Sequence, residues 1–589
     1  MKRKGFAVLM ALALSLSVPL VSVAAEGRGD GSSISRFASA LETRFVQETG
    51  IAEASGISAS DSMATRDVKE LKRGISLLQQ GNFGEAEAAF LSARDAARSD
   101  KRGSIDAVVG HFYMLANRMD DACRWTEKAI ADGPDEWMLH TMLGILYSRN
   151  DHQDLPKAIG YLQEAIGLSP RIGINYRILG TLQSMNGDPT GAADTFTKAI
   201  AVNPSDAFSY MARGSIYEDL KDYEKALADF RRALSMNLPG KFHETAQMEE
   251  GQTLFHLSRY DESLASYGKV LEKDPGNFRA AYMTGLIYKA ERKDDTALTW
   301  MEKASRLAPQ SAGPYDVMGF LYVKQDKKDQ ARDSLQKAVD RKSKIMRTYR
   351  LLAQLYQSDG KDDEALKILD LAVTRLPHNP DAWSERGWFF ESRKDYARGA
   401  ADYTEAINLG GEQKALNLTQ RGLCYRELNE NKKAEADYQE ALRLKSDETL
   451  AYIGLGNLYN KAGDYDRAIG IYEKGLAAVK EEDKGMILNN LGFTYKEKGD
   501  YTKALEILTE GIQKYPNHAE TWRSRAQTCD AMGQPEKGIP DMDEFLKRKP
   551  GDARGYRFRA ALYEKAGKKD LAEKDREKAK ALEKGGKQP

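Results

Sequence analysis

The chain has 589 residues, which is too long for one compact core and leaves either several domains or a repeat array. Charged residues make up 30% and there are only 17 prolines, a composition that is typical of long amphipathic helices and excludes a disordered linker protein. The 88 basic and 88 acidic residues balance. This balance gives no support for nucleic acid or an anionic membrane as the main partner.

Residues 1–25 predict an export signal. A basic start at Met1–Lys4 precedes an apolar stretch from Phe6 to Val23, and small residues follow at Ala24 and Ala25. Because a proline interrupts the apolar stretch, we expect a cleaved Sec-type signal peptide, with an uncleaved anchor as the alternative. No later segment approaches the roughly 20 consecutive apolar residues of a membrane helix. The sequence therefore predicts a soluble protein that is periplasmic in a bacterium, or secreted.

A search for self-similarity finds a ladder of small residues, and nine of its fourteen steps are 34 residues long. Its members, called the ladder residues below, are Gly74, Gly110, Gly144, Gly180, Gly214, Gly251, Gly285, Gly319, Ala353, Gly387, Gly422, Gly456, Gly492, Ala526 and Ala560. A second small residue follows twelve positions later in fourteen of the fifteen units, and in the third unit a short insertion displaces it to Ala158. The pattern predicts two short helices per unit, which cross closely at the small residues.

The segment from Tyr210 to Leu234 shows the full motif, with Gly214, Tyr217, Ala226 and Phe230 in order. This motif resembles the tetratricopeptide repeat (TPR) family. The resemblance implies an all-α TPR α-solenoid, a right-handed superhelix of about fifteen helix-turn-helix repeats. The resemblance covers residues 67–582. Prolines of the type that closes a repeat recur at Pro134, Pro170, Pro204, Pro275, Pro309, Pro377, Pro516 and Pro550.

Two units depart from the motif, and two segments lie outside the array. The first unit lacks the tyrosine and the closing proline, and Pro540 lies inside the second helix of the fourteenth, where it should kink or shorten that helix. Residues 26–66 are a linker in which Ile34–Val46 has helical spacing, and we expect this segment to cap the first repeat. Residues 583–589 are expected to be a disordered tail.

Residues that could carry catalysis are scattered. His243 and Glu244 begin a zinc-protease-like motif, but Gln247 stands where the second histidine is required. The sequence has no Gly-rich phosphate loop and no G-x-S-x-G motif. Three widely separated cysteines, Cys123, Cys424 and Cys529, have no metal-ligand spacing and are expected to pack inside helices. We therefore expect no enzyme activity, no cofactor and no metal.

The resemblance implies that partner segments bind along a concave groove lined by the first helix of each repeat. We placed its contact residues on one helical stripe around each ladder residue. In the early and middle repeats the stripe is apolar and rich in methionine, at Met114, Met138, Ile145, Ile174, Phe208, Met211, Met248 and Phe255. Later it is polar and basic, at Arg279, Tyr282, Lys289, Arg347, Arg350, Gln354, Trp388, Asn489, Arg523, Arg554 and Arg557.

These two stripes suit a partner with apolar anchors followed by carboxylates. The alternative interpretation is that the apolar members pack between repeats and the arginines form a solvated face. The Lys and Asn pattern of carboxylate-clamp TPR domains is absent, which disfavours a receptor for chaperone tails.

Five arginines directly precede a ladder residue and have an aspartate sixteen positions later. No other repeat has aspartate at that second place. The pairs are Arg213 and Asp229, Arg386 and Asp402, Arg421 and Asp437, Arg525 and Asp541, and Arg559 and Asp575. In a helical hairpin the two positions reach the same height, so we predict a charge-assisted bond within each hairpin. These arginines would then be structural and not ligand contacts.

The sequence favours a non-enzymatic scaffold or adaptor of the bacterial periplasm that holds proteins or peptides in its groove, with no nucleic acid partner. The alternative is an accessory subunit of an envelope secretion, polysaccharide-export or glycan-modifying complex. An enzyme in its own right is a third hypothesis. Partner, pathway and oligomeric state do not follow from the sequence.

Overall fold

A computed structural model describes residues 66–133, 136–149, 154–236 and 238–585. This part of the chain contains thirty α-helices, two short 3-10 turns and no strand. The helices are α1 Arg66–Gln79, α2 Phe83–Ala96, α3 Arg102–Leu115, α4 Met119–Asp132, α5 Trp137–Arg149, α6 Leu155–Leu168, α7 Gly173–Met185, α8 Pro189–Val202, α9 Ala207–Asp219, α10 Tyr223–Leu234, α11 Gly240–His256, α12 Tyr260–Lys273, α13 Phe278–Ala290, α14 Asp294–Leu307, α15 Ala312–Lys324, α16 Lys328–Asp340, α17 Met346–Ser358, α18 Asp362–Arg375, α19 Pro380–Ser392, α20 Tyr396–Leu409, α21 Lys414–Glu427, α22 Asn431–Leu444, α23 Thr449–Lys461, α24 Tyr465–Ala478, α25 Lys484–Lys498, α26 Tyr501–Lys514, α27 Ala519–Ala531, α28 Pro535–Arg548, α29 Ala553–Lys565 and α30 Lys569–Gly585.

The prediction of about thirty helices over 67–582 is confirmed. Each odd-numbered helix pairs with the even-numbered helix that follows it, so every ladder unit forms one helical hairpin. The predicted signal peptide at 1–25 and the predicted cap at 34–46 lie outside the described residues. The helices form two compact units, which divide between Ala308 and Pro309.

Eleven of the twelve ladder glycines lie against a large side chain of the second helix, and Gly110 lies against Thr126. A β-carbon at Gly251 would lie 2.9 Å from Cζ of Tyr267, and one at Gly319 would lie 2.4 Å from a methyl carbon of Leu335. Both large side chains are fully buried. A glycine at this place therefore lets the two helices cross closely while a large side chain is buried between them.

The turn inside each hairpin requires a left-handed residue, which the motif search missed. In all fourteen described turns of this type, the residue seven positions after the ladder residue has a positive φ. Glycine, which adopts positive φ without steric cost, fills half of these places, as at Gly463 with φ 75°. Lys394 adopts φ 61° although its side chain disfavours this conformation. The recurring glycine at this spacing is a sequence signal that could have located the turns.

Three expectations about departures need correction. The first hairpin is ordinary, with Phe90 of α2 fully buried beneath Gly74. Helix α28 keeps 14 residues although it contains Pro540, so the expected shortening is wrong. The ring of Pro540 is exposed, and the helix continues through the one backbone bond that the missing N–H removes. Helix α30 continues to Gly585, three residues into the segment predicted as a tail.

The three cysteines are free and buried, as expected of small apolar residues inside helices. Burial raises the pKa of the Cys123 thiol to about 11 and that of Cys424 to about 12. Both thiols are therefore poor nucleophiles at neutral pH.

Candidate partner-binding groove

One face of the first helix in each repeat carries four recurring places. They lie six and three residues before the ladder residue and one and four residues after it, so they follow one another along one side of the helix. We call this set the groove stripe. All sixteen predicted partner-binding residues lie on it, but the structure gives its four places different surroundings.

In several repeats the place three residues before the ladder residue contacts the next repeat, which corrects part of the predicted site. Met211 is 1% exposed and Met248 is 5% exposed, so both belong to the core. In other repeats this place hydrogen-bonds to the first helix of the following repeat. The bonds join Thr141 to Asn175 at 2.8 Å, Asp316 to Thr348 at 2.5 Å, Arg350 to Glu385 at 3.0 Å, Ser384 to Asn417 at 2.8 Å and Asn489 to Ser524 at 2.8 Å. Arg350 and Asn489 are therefore committed to joining repeats.

The other apolar members of the early stripe are partly buried between repeats. Met114, Ile145, Ile174 and Phe255 each pack against a buried apolar cluster and keep one edge exposed. Phe208 packs edge-on against Phe242, with ring centroids 4.9 Å apart. Met138 is 38% exposed. The packing alternative is thus correct for part of this stripe, and a partner can reach only the edges that remain.

Most of the basic members have internal partners. Arg279 lies 2.9 Å from Glu249, Arg523 lies 2.5 Å from Glu520, and Arg557 contacts Glu583. The Arg347 guanidinium lies over the ring of Phe320 at 4.8 Å. The half-buried ring of Tyr282 stacks on Phe278, with centroids 5.8 Å apart. These charges are largely neutralised within the chain.

Besides Met138, two large apolar side chains of the stripe are exposed. Trp388, one residue after its ladder residue, is 45% exposed. Leu450, six residues before its own ladder residue, is also 45% exposed and was missed by the sequence analysis. Its place in the stripe was the signal that could have found it. Exposed aromatic and aliphatic groups on one helix face are suitable anchors for a partner segment.

The five predicted arginine–aspartate pairs are all formed. Each arginine donates two bonds, from Nε and from one terminal nitrogen, to the two carboxylate oxygens of its aspartate. The distances are 2.8 and 2.8 Å for Arg213–Asp229, 2.8 and 2.8 Å for Arg386–Asp402, 2.8 and 2.7 Å for Arg421–Asp437, 2.9 and 2.7 Å for Arg525–Asp541, and 2.7 and 2.8 Å for Arg559–Asp575. Two-point geometry of this kind is the strong form of the interaction.

Each of these arginines also makes a third bond, which the sequence analysis did not predict. The remaining terminal nitrogen donates to a side chain on the second helix of the preceding repeat. The acceptors are Thr197 for Arg213 at 2.8 Å, Asp370 for Arg386 at 2.8 Å, Thr404 for Arg421 at 3.0 Å, Thr509 for Arg525 at 3.1 Å and Asp543 for Arg559 at 2.7 Å. One guanidinium therefore joins three helices in two repeats. We call this arrangement the arginine junction.

The first repeat shows what happens without the aspartate. Arg73 also directly precedes a ladder residue, but Ala89 stands sixteen positions later. Its side chain is 64% exposed and lies 3.5 Å from Glu70 on the same helix. By contrast, the side chain of Arg213 is 16% exposed. The aspartate therefore decides whether the arginine is held inside the hairpin.

In two junctions, burial disfavours the charged form of the aspartate. Desolvation raises the pKa of Asp229 and of Asp402, and the bonds from Arg213 and Arg386 oppose this rise. On the arginine side, the bond to the aspartate raises the pKa of Arg213. In these two hairpins the guanidinium thus favours the charged form of the aspartate against the effect of burial.

Models of tetratricopeptide repeats match residues 179–240, 248–312, 318–380, 417–448 and 447–515. The chain carries tetratricopeptide repeats. These TPR matches fall in both compact units. The fold is an all-α TPR solenoid.

Curated relatives match parts of the chain. Anaphase-promoting complex subunit 3 of Schizosaccharomyces pombe is 24% identical over 191 residues, which are 32% of this chain and 28% of that protein. The probable UDP-N-acetylglucosamine–peptide N-acetylglucosaminyltransferase SPINDLY of Hordeum vulgare is 27% identical over 169 residues, which are 28% of this chain and 18% of that protein. The TPR chain thus spans less than a third of the length of each of these relatives.

Among solved structures, the crystal structure of the yeast Tom70 is similar over 68% of this chain and 96% of that chain, at 16% identity and a TM-score of 0.31. Over residues 66–585, apart from the short gaps, no helix has both the length and the apolar character needed to cross a bilayer. The same residues bring together no set of three or more side chains suited to a metal ion.

Proposed function

We propose that this protein is a non-enzymatic scaffold that holds segments of other proteins against the groove stripe of its TPR hairpins. The observation that carries the proposal is that two sets of side chains have different surroundings. The arginines of the junctions are bound inside and between the hairpins, while Trp388 and Leu450 stay open on the face of the first helices. Internal polar bonds thus hold the repeats together and leave large apolar groups free to anchor a partner.

We place this scaffold in the bacterial periplasm, or outside the cell. The support is the sequence of residues 1–25, with its basic start, apolar stretch and small residues before Glu26. Fractionation of cells that express the full chain tests this location. N-terminal sequencing of the recovered protein should begin at Glu26, whereas a protein that keeps Met1 in the membrane fraction would support the anchor.

Site-specific crosslinking tests the groove. A photo-crosslinking amino acid at position 388 should yield discrete adducts with partner proteins in the native cell. The matched control is position 444 in α22, where Leu444 is 43% exposed on a second helix. Equal adduct patterns at both positions would contradict groove binding. The change Trp388→Ala should abolish partner capture, and it should alter stability by less than about 0.5 kcal/mol because the side chain is largely exposed.

An accessory subunit of an envelope complex is the second candidate. It is favoured by a relative named as a complex subunit, anaphase-promoting complex subunit 3. The crosslinking experiment separates the two candidates. Adducts with one stoichiometric set of proteins would favour the accessory subunit, and adducts with many unrelated proteins would favour a general scaffold.

A further inference from the structure

A chain of polar bonds lies on the groove stripe of the fifth to seventh repeats. The Glu218 carboxylate accepts from Nε2 of Gln252 at 3.0 Å and from the Thr253 hydroxyl at 3.5 Å. The amide oxygen of Gln252 accepts from Arg279 at 2.6 Å, and Arg279 donates to Glu249 at 2.9 Å. Side chains of three successive first helices, α9, α11 and α13, are thereby joined.

The charges in this cluster do not balance. It contains two carboxylates and one guanidinium, and the bonds of the Arg279 guanidinium go to Glu249 and Gln252. The Glu218 carboxylate is left with neutral neighbours, the Gln252 amide at 3.0 Å and the Thr253 hydroxyl at 3.5 Å, and that hydroxyl donates at 2.9 Å to the backbone oxygen of Glu249. When all three groups are ionised, the cluster therefore carries one excess negative charge in a half-buried position, which favours a cation.

A buried hydroxyl reaches the same place from the second helix. Tyr267 is fully buried, and its ring crosses Gly251 with the hydroxyl-bearing end nearest to that glycine. Its hydroxyl has no hydrogen-bond partner among the described residues. Arg279, Glu249 and Glu218 are the charged groups that act on it. The tyrosine ring thus ends beside Gly251, the residue that directly precedes Gln252 of the cluster.

Two other repeats show that a hydroxyl at this position reaches the groove stripe. The equivalent Tyr403 donates to Glu391 at 2.7 Å, four residues after the ladder residue, and Tyr472 donates to Asn457 at 2.8 Å, one residue after it. In the sixth repeat the same two places hold Phe255, which cannot accept, and Gln252, which already bonds at both ends. Tyr267 is therefore an unsatisfied group beside an unbalanced carboxylate.

We propose that Glu218 and the Tyr267 hydroxyl bind one cationic side chain, a lysine or an arginine, of the partner segment that lies in the groove. This inference rests on the proposed function and names the chemistry of its ligand. A cation would balance the cluster and give the buried hydroxyl a partner. Phe255 is three residues from Gln252 on the same helix face and offers an apolar contact for the alkyl part of that side chain.

Acid should weaken this contact. Burial, with the negative charge of Glu249, raises the pKa of Glu218 to about 7. Asp219 on the same helix adds to the rise, whereas the Gln252 bond and the Arg279 charge oppose it. Below pH 7 the Glu218 carboxyl becomes neutral and loses its attraction for a cation.

Peptide selection on the full chain tests the proposal. A phage-displayed library of random dodecapeptides is panned in parallel on the native protein, on Glu218→Gln and on the control Glu224→Gln. Glu224 is a suitable control because its side chain is 71% exposed on the second helix α10. We expect a consensus with one fixed lysine or arginine on the native protein and on the control, and its loss on Glu218→Gln. The same consensus on all three proteins would overturn the proposal.

Affinity measurements on one selected peptide locate the contact. Replacing its basic residue by norleucine should weaken binding roughly tenfold to the native protein and less than twofold to Glu218→Gln, since the charge pair is then already lost. Tyr267→Phe should weaken binding a few-fold. Tyr438→Phe should not, although the Tyr438 hydroxyl is also buried without a partner, because Tyr438 belongs to the hairpin of α21 and α22 and not to the cluster around Glu218.

The outcomes also separate this inference from the proposed function. Peptides that bind the native protein and Glu218→Gln equally, but lose binding in Trp388→Ala, would leave groove binding intact and remove the cation site. Failure of any peptide to bind would remove both. Affinity that is unchanged between pH 7.5 and pH 6 in the native protein would likewise count against Glu218.

Discussion

The two compact units use charge differently. In the unit from Pro309 onward, four of the eight hairpins contain an arginine junction, built on Arg386, Arg421, Arg525 and Arg559. In the unit before it, Arg213 builds the only junction of this kind among the described hairpins. There a cluster of linked charges, around Glu218, lies on the groove stripe.

The sixth repeat shows the same position with the opposite sign. Glu250 directly precedes the ladder residue and accepts from Ser266, sixteen residues later, at 2.8 Å and from Arg231 of the preceding repeat at 3.1 Å. A charged side chain before the ladder residue can therefore link two repeats as either donor or acceptor. What matters is that the second helices on both sides supply the complementary group, because a lone charge at this depth is costly.

The largest expected effect comes from breaking a junction in the second unit. Asp437→Ala should lower the free energy of unfolding by about 3–5 kcal/mol, since it leaves the Arg421 guanidinium partly buried with only Thr404 as a partner. Urea denaturation followed by circular dichroism, with hydrogen exchange of α21 and α22, measures the loss. The double change Arg421→Leu with Asp437→Leu should cost less than the single change. A double variant that is as unstable as Asp437→Ala would show that the aspartate acts in another way.

In the first unit, removing a charge should stabilise the protein at neutral pH. The folded pKa of Glu218 is raised to about 7, above its ordinary value near 4.5, so ionised Glu218 costs stability that increases as pH rises through this window. Glu218→Gln should therefore raise the free energy of unfolding by about 1–2 kcal/mol at pH 8 and leave it unchanged at pH 4. Thermal denaturation at both pH values measures the difference. An equal effect at the two pH values would rule out the titration of Glu218 as its cause.

Two junctions of the second unit should differ in their tolerance of the same change. If Asp402 is replaced by Asn, Arg386 keeps a carboxylate partner in Asp370 at 2.8 Å, whereas Arg421 keeps only a threonine when Asp437 is replaced. Asp402→Asn should therefore cost about 1 kcal/mol less than Asp437→Asn. Adding Asp370→Asn to the first variant should remove the difference. If both single variants lose the same stability, the third bond of the junction contributes little.

The smallest effect concerns the turns. Lys394 adopts a left-handed backbone, with φ 61°, at the place where Gly463 has φ 75° two repeats later. Lys394→Gly should raise the free energy of unfolding by about 0.5–1 kcal/mol, because glycine adopts this conformation without steric cost. Gly463→Ala should have the opposite sign. Thermal denaturation of both variants gives the comparison, and a destabilising Lys394→Gly would mean that the lysine side chain makes a contact that matters more than the turn.

Much of this protein followed from its sequence alone. The ladder spacing determined the thirty helices, since a small residue every 34 positions is needed where two helices cross closely. The five Arg–Asp pairs also followed from spacing, because positions sixteen apart in a hairpin of fixed length meet at one height. Such features lie within one repeat, where the contacting residues keep a fixed spacing in the sequence.

Contacts between repeats were decided only by the tertiary structure. Met211 and Met248 share the stripe spacing of exposed residues, but the next first helix covers them, so periodicity could not tell core from groove. The third bond of each junction, from Arg421 to Thr404 for example, joins different repeats and has no fixed residue type. The Tyr267 hydroxyl lacks a hydrogen-bond partner in part because the Gln252 amide bonds at one end to Glu218 and at the other to Arg279. A repeating pattern specifies the hairpin, whereas exposure and polar satisfaction depend on which side chains the neighbouring hairpins supply.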